Sequence, residues 1–472
     1  MSRSSATGSA LRSSRRSHSR RKVSGLKLNQ FSVCLLSALF LVGCTVTTNP
    51  NSGWWTFRGD QRHFSTSSGE PLSLPVDLAW EHSFPPTSNG NPRLAGIPVF
   101  GPDRVYVTSN SNLGAEEVSS GQLHAFDLAT GEQMWTFQPD ISEATATLGP
   151  PVIANGRIYA TFEINGASGR SHIGLYALTP SGTVDWWIKL GGSNEDTDLA
   201  GAMNAIDGKL LFCLRHNHRL NLYALSQTDG EELFRVEIDQ PEPENDGNLI
   251  RGWKQTPVLA TGPNNHVLIA TPYNIRSLDI EESGAEVWRY TFPQAAANSS
   301  AVSISYSPHH AHRVVVATAY GPYQEYVTVY ALNGPNLVWV KQYPTIFSIY
   351  QTPIVAATQR QAFVLEGPAL IALKPGDGEP IWRISDSPRH LQAPPAFFWD
   401  DITEELILAY VTKDQVRALR ASDGEAVWTD ELPGVRYNSR HYFLGGIAID
   451  QGTMVACVRN LVRAYRSATE SP

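Results

Sequence analysis

The chain has 472 residues, with Gly 37 and Pro 31, 42% hydrophobic and 17% charged residues, and a formal net charge of −8. The length suits one large repeat array or two to three ordinary domains, and the turn-rich composition without a long 3.6-residue apolar period excludes a helical bundle. The negative balance argues against nucleic acid or an anionic membrane surface as a partner.

The first 43 residues stand apart. They hold eight basic residues (Arg3, Arg12, Arg15, Arg16, Arg20, Arg21, Lys22, Lys27) and no Asp or Glu. The apolar run Phe31–Val42 follows, too short to span a bilayer comfortably but suited to a signal-peptide core. It ends in Leu41-Val42-Gly43-Cys44. This resembles the bacterial lipobox, in which the cysteine thiol is acylated and becomes the new N-terminus. Residues 1–43 therefore read as a lipoprotein signal peptide, with Cys44 as the lipid attachment site. Residues 44–74 read as a lipid-anchored tether and entry segment, flexible over Thr45–Ser52, and residues 75–472 as one repeat domain. Removing the leader leaves 29 Lys and Arg against 45 Asp and Glu, a formal charge of −16. Thr45, not Asp, follows Cys44, so the expected location is the outer membrane, facing the periplasm, with the membrane contacted through the lipid alone. Cys213 and Cys457 lie in apolar strand-like runs and are expected as buried free thiols, so no disulfide framework is implied.

A fifteen-residue phrase then recurs. It first reads GQLHAFDLATGEQMW and returns as GLYALTPSGTVDW, NLYALSQTDGEELF and VRALRASDGEAVW. Aligned on a turn glycine and the aromatic after it, seven copies appear, with the aromatics at Trp135, Trp186, Phe234, Trp288, Trp339, Trp382 and Trp428. Their spacings are 51, 48, 54, 51, 43 and 46 residues. A period of this size in an all-β sequence signals propeller blades. Each copy supplies a third strand, a turn of the D-x-x-T-G kind and a fourth strand, and glycine takes the positive φ that such a hairpin requires. An alternating run before the phrase, such as RVYVTS or RVVVATA, supplies the second strand. A run of small and apolar residues before that supplies the innermost. Eight innermost runs are present: AGIPVF, LGPPVIA, LAGAMNA, QTPVLA, SAVSIS, QTPIVA, APPAFF and GGIAID.

The count closes only across the termini. The last repeat stops at a third strand, NLVRAYRSATE, while the unpaired run Asp77-Leu78-Ala79-Trp80-Glu81 precedes the first innermost strand. Pairing the two removes two exposed sheet edges. The fold class expected is all-β: an eight-bladed β-propeller of four-stranded antiparallel blades, closed by the N-terminal strand. Trp80 joins the outer-strand aromatics as the eighth structural docking residue. A tryptophan there covers roughly 200 Å² of apolar area, enough to bridge adjacent blades.

The pattern Y-V-x-S…G-x-L-x-A-x-D-x-x-T-G-x-x-x-W resembles the pyrroloquinoline-quinone (PQQ) repeat with its tryptophan-docking motif. Trp54-Trp55-Thr56-Phe57-Arg58-Gly59-Asp60 is similar to the W-x-x-F-R-G opening of many such chains. The resemblance implies fold more than function, since one fold hosts enzymes and non-enzymes. One function implied is a PQQ-dependent quinoprotein dehydrogenase oxidising alcohols or sugars in the periplasm. Members of that group hold the quinone and Ca²⁺ over the channel, often with adjacent cysteines and a carboxylate base. This chain has no adjacent cysteine pair, little length for the usual insertions, and carboxylates that fall mostly in turns (Asp229, Glu231, Asp377, Asp423). No catalytic residue, no PQQ and no calcium are therefore expected. The other implied function is a lipid-anchored, non-catalytic scaffold. The chain is similar to the BamB group of eight-bladed outer-membrane lipoproteins, which support the machinery that inserts β-barrel proteins. In that group a Leu-Arg-Gly loop contributes to partner contact, and here Ile250-Arg251-Gly252 resembles it. The acidic pair that accompanies that loop in the group has no clear match near Ala295–Ser300. No metal site is expected: Pro308-His309-His310-Ala311-His312 and His216-Asn217-His218 read as polar hairpin turns. No glycine-rich phosphate loop, G-x-S-x-G elbow or H-E-x-x-H appears.

Overall fold

The computed structural model describes residues 71–468, apart from 86–92, 112–120, 140–143, 167–170, 192–196, 217–218, 239–257, 272, 294–300, 308–312, 321–325, 345–353, 359, 367–368, 386–394, 413 and 433–444. Within them the chain forms eight antiparallel sheets, one per repeat. Blade 1 spans residues 93–137, blade 2 144–190, blade 3 197–238, blade 4 258–291, blade 5 301–344, blade 6 354–385 and blade 7 396–431. Blade 8 is built from both ends of the domain. Gly446–Asp450, Thr453–Val458 and Leu461–Ser467 are its inner, second and third strands, and Val76–Ser83 is its outer strand.

The eight innermost runs are all strands, but two of them are broken. Blade 1 opens with Arg93–Ala95 and Val99–Phe100, and blade 2 with Ala144–Leu148 and Val152–Ala154, both pieces lying on the same second strand. Proline explains the breaks. Pro98 and the pair Pro150-Pro151 have no N–H to give to the ladder. Blade 3 has no proline at this point and keeps one long inner strand, Thr197–Ile206, with a register shift between Ala200 and Asn204.

Burial runs outward in a gradient set by what each strand touches. The third strand of blade 1, Gln122–Asp127, is buried at Leu123 through Phe126, whereas the outer strand Gln133–Phe137 has no buried residue. A blade is pressed between two neighbours, so the period-two alternation of a strand serves two interfaces at once. In blade 5, Val314 and Val316 pack toward blade 4 while Val315 and Ala317 pack toward blade 6. In blade 3, Leu210 and Phe212 join the cluster with blade 2, and Leu211 and Cys213 the cluster with blade 4. Seven apolar clusters cover all eight blade boundaries, the largest running from blade 7 through blade 8 into blade 1. Cys213 and Cys457 are free and buried in this core, and burial pushes both thiols well above their ordinary pKa.

The ring closes as a ladder between chain ends. Val76 stands opposite Ser467 and Ser83 opposite Leu461, with a bulge between Leu78 and Trp80. The Phe84 amide donates to the Asn460 carbonyl at 2.8 Å, and the Ala468 amide to the Pro75 carbonyl at 2.9 Å. Arg463, whose side chain is 9% exposed, donates to Glu81 at 2.6 Å and to Asp430 of blade 7 at 2.7 Å. Tyr465 donates its hydroxyl to the same Asp430 carboxylate at 2.7 Å.

A histidine also sits inside this closure. The His82 ring lies between Phe84 at 5.2 Å and Phe126 of blade 1 at 4.7 Å. Burial lowers its pKa below the ordinary 6.5, because the charged imidazolium loses hydration there. The neutral ring is thus favoured in the folded state. Its contribution to stability is fully present above pH 6.5 and is lost as pH falls toward the lowered value. Melting temperatures at pH 7.5 and pH 5 are expected to differ less in His82→Gln than in the parent chain. An unchanged difference would show that His82 has no part in the acid sensitivity.

Candidate functional site

Four alternating strands bring the turn between first and second strands, and the turn between third and outer strands, to the same face of a blade. The repeated phrase does its work on that face. In blade 1, Asp127 accepts the Thr130 amide and the Thr130 hydroxyl, each at 2.8 Å, and the Gly131 amide donates to the Asp127 carbonyl at 2.9 Å. The hydrogen bond from the Thr130 hydroxyl, then that from its amide, holds the Asp127 carboxyl below the usual carboxylate range. Asp377 and Asp423 accept the amides of Glu379 and Glu425 at 3.0 and 2.9 Å, and Asp229 accepts that of Glu231 at 3.1 Å. These carboxylates cap their own turns.

The turn glycines then receive the preceding blade. Gly131 has φ +74°, and a Cβ there would lie 2.5 Å from the Trp80 ring. The Trp80 indole donates to the Leu128 carbonyl at 3.0 Å, and Arg466 donates to that same carbonyl at 2.6 Å. The arrangement repeats around the ring. Trp135 lies over Gly182 and donates to Pro180, Trp186 over Gly230 and to Gln227, Trp339 over Gly378 and to Pro375, and Trp382 over Gly424 and to Ala421. Phe234 lies over Gly284 without a donor to offer. Trp288 breaks the pattern, since nothing stands within 4 Å of where a Cβ on Gly334 would be. That copy, GPNLVW, has one extra residue between glycine and aromatic. Trp428 instead meets Tyr465 edge-on, with ring centroids 5.1 Å apart.

A serine–histidine pair is present but closed off. Ser109 Oγ lies 2.8 Å from His124 Nε2, and Thr136 Oγ1 lies 3.1 Å from His124 Nδ1. Ser109 and His124 are both buried, Phe84 covers the ring at 4.6 Å, and the third partner is a hydroxyl. The trio ties together the second, third and outer strands of blade 1. Among the described residues, no group of three or more His, Cys, Asp or Glu is placed to hold a metal ion. Cys44, the loop Ile250-Arg251-Gly252 and the His309–His312 run lie outside the described residues.

Sequence reasoning passed over a cleft between blades 6 and 7 on the turn-bearing face. It measures about 590 Å³, within the range of ligand sites. Blade 6 lines it with the turn residues Thr358, Arg360 and Gln361, with Lys374 and Pro375, and with Ile381 of the outer strand. Blade 7 lines it with Phe398 and Trp399 of the inner strand, and with Glu404, Glu405 and Leu406. The blade 7 turn makes the wall. In blades 2, 3 and 8 the corresponding turn is a pair (Asn155-Gly156, Asp207-Gly208, Gln451-Gly452), whereas here Asp401–Glu404 intervenes. Asp400, fully buried, accepts the Ile402 amide at 3.1 Å and the Thr403 hydroxyl at 2.8 Å, and Glu404 adopts φ +52°. The braced turn leaves Trp399 44% exposed. The one signal in the sequence was a tryptophan out of phase with the repeat.

A family profile described as outer membrane protein assembly factor BamB matches residues 77–319 and 275–459. No curated protein matches the chain. Among solved structures, the chain is similar to the quinohemoprotein alcohol dehydrogenase from Comamonas testosteroni, with TM-score 0.59 and 13% identity over 89% of this chain and 82% of that one. It is similar to quinohemoprotein alcohol dehydrogenase ADHIIG from Pseudomonas putida HK5, with TM-score 0.58 and 12% identity over 90% and 82%. It is also similar to BamB from Moraxella catarrhalis, with TM-score 0.50 and 12% identity over 83% of this chain and 99% of that one. At such identities these likenesses establish the fold alone.

Proposed function

Because the chain belongs to the family described as outer membrane protein assembly factor BamB, we propose that it is a non-catalytic propeller scaffold. On this reading it is held by a lipid on Cys44 at the periplasmic face of the bacterial outer membrane, where it binds protein partners that serve outer-membrane protein assembly. The observation that carries the reading is the occupation of the repeat's chemistry-capable side chains by structure. The turn carboxylates Asp127, Asp229, Asp377 and Asp423 cap backbone amides, and the indoles donate to carbonyls of the next blade. What remains for recognition is surface. Leu78, Met134, Trp187, Leu233 and Val287, each on an outer strand, point exposed apolar side chains to solvent, the kind of surface that protein contacts cover.

The structural likeness to quinohemoprotein alcohol dehydrogenases favours a second reading, PQQ-dependent alcohol oxidation. The described residues do not fit that group. Cys213 and Cys457 belong to blades 3 and 8 and are buried in separate clusters, and the described residues contain no carboxylate cluster for a divalent ion. The test supplies PQQ, Ca²⁺ and a primary alcohol to the purified chain and follows dye reduction. No reduction is expected, and co-purification of the lipidated chain with envelope assembly proteins should be lost in Cys44→Ser and reduced in Arg251→Glu. Saturable PQQ binding with alcohol-dependent dye reduction would replace the scaffold with the dehydrogenase.

A further inference from the structure

We propose that the cleft between blades 6 and 7 docks an extended segment of a partner protein through a bulky apolar side chain with a carboxylate beside it. The inference rests on the scaffold reading above and names what one site of the scaffold recognises.

The apolar half of the recognition comes from Trp399, Ile381 and Leu406. Tryptophan is costly to leave in water. Trp399, on the inner strand of blade 7 beside the Asp400-braced turn, lines the cavity and is 44% exposed. Ile402, on the same turn, is 72% exposed and continues the apolar surface beyond the cleft. A small molecule filling the cavity leaves that surface bare, while an extended peptide running along the blade boundary covers it.

The charged half comes from Arg360 and Lys374. Both line the cleft from blade 6. Among the described residues several bases have a carboxylate: Arg157 has Asp185, Lys209 has Glu281, Arg289 has Glu286, and Lys341 has Glu379. Arg420, behind the cleft, is shared among Glu405, Asp423 and Glu425. Arg360 and Lys374 have no such partner among the described residues, so two cations stand on the blade 6 wall of a cleft whose blade 7 wall carries Glu404 and Glu405. Across from them, Glu405 is already held by Arg420 at 2.7 Å. A carboxylate beside the apolar anchor meets the Arg360 guanidinium in a charge-assisted pair.

The probe is an acetylated, amidated pentapeptide with phenylalanine followed by aspartate at its centre, titrated calorimetrically into the purified full chain. Saturable binding is expected, with about a tenfold loss when lysine replaces the aspartate. The double variant Arg360→Glu, Lys374→Glu should lose about tenfold as well, with an unchanged melting temperature because both side chains are exposed. Trp399→Ala should weaken the acidic peptide and its lysine counterpart alike. Equal binding of the two peptides, or equal binding by the double variant, overturns the proposal. Free phenylpropionate binding as tightly as the peptide overturns the assignment to a protein segment. Absent peptide binding with retained co-purification of envelope assembly proteins overturns the cleft and leaves the scaffold standing. Alcohol-dependent dye reduction overturns both.

Discussion

Deleting residues 71–85 is expected to abolish cooperative folding of the propeller. That segment is the outer strand of blade 8, and its loss bares the whole edge of Leu461–Ser467. Leu72, Val76, Trp80 and Phe84 are all buried in the cluster that joins blades 7, 8 and 1. Four such side chains contribute about 6–12 kcal/mol between them, the size of a typical domain's entire net stability. The deletion also strands Arg463 beside Asp430 alone, removes the Trp80 ring from Gly131 and leaves a free edge able to pair with another chain. Circular dichroism melting and size exclusion report the outcome. A truncated chain that melts sharply within a few degrees of the parent would mean the ring holds without its N-terminal strand.

Gly131→Ala should be far more damaging than Gly334→Ala, although both glycines occupy the same place in the phrase and both have positive φ, +74° and +58°. The left-handed conformation costs an alanine about 1–2 kcal/mol at either site. At Gly334 little more is added, because no atom lies within 4 Å of the new methyl. At Gly131 the methyl falls 2.5 Å from the Trp80 ring. The ring must leave its seat, with loss of the indole bond to Leu128, and overpacking of this kind adds about 1–3 kcal/mol. Denaturation midpoints of the two variants measure the difference directly. Equal losses would assign the cost to backbone conformation and remove the docking ring from the account.

The same pair shows where reading by repeat succeeds and where it stops. The phrase identifies a turn glycine in every copy, and all seven take positive φ, because the hairpin's demand is local. Whether a second constraint falls on that glycine depends on an aromatic some 50 residues earlier. In the copy GPNLVW the one-residue change in spacing goes with a glycine that no ring covers. The broken inner strands of blades 1 and 2 were legible in hindsight, since Pro98 and Pro150-Pro151 stand inside them. The cleft was not. Arg360, Lys374 and Trp399 belong to three different turns and strand ends, with nothing in their sequence spacing to associate them.

The amino-acid sequence determined by itself the strand period, the blade count and the closure by the N-terminal strand. These depend on nearest neighbours in a one-dimensional array, where alternation writes both faces of each strand and an unpaired strand at one end must match a vacancy at the other. Tertiary structure alone decided which carbonyl receives each indole, which turn glycine stays uncovered, and that Trp399 is half-exposed beside two cations with no ion-pair partner among the described residues. Those outcomes depend on how neighbouring blades are set against each other, and on a turn braced by the buried Asp400. Packing in three dimensions sets both, and no local pattern of residue types encodes them.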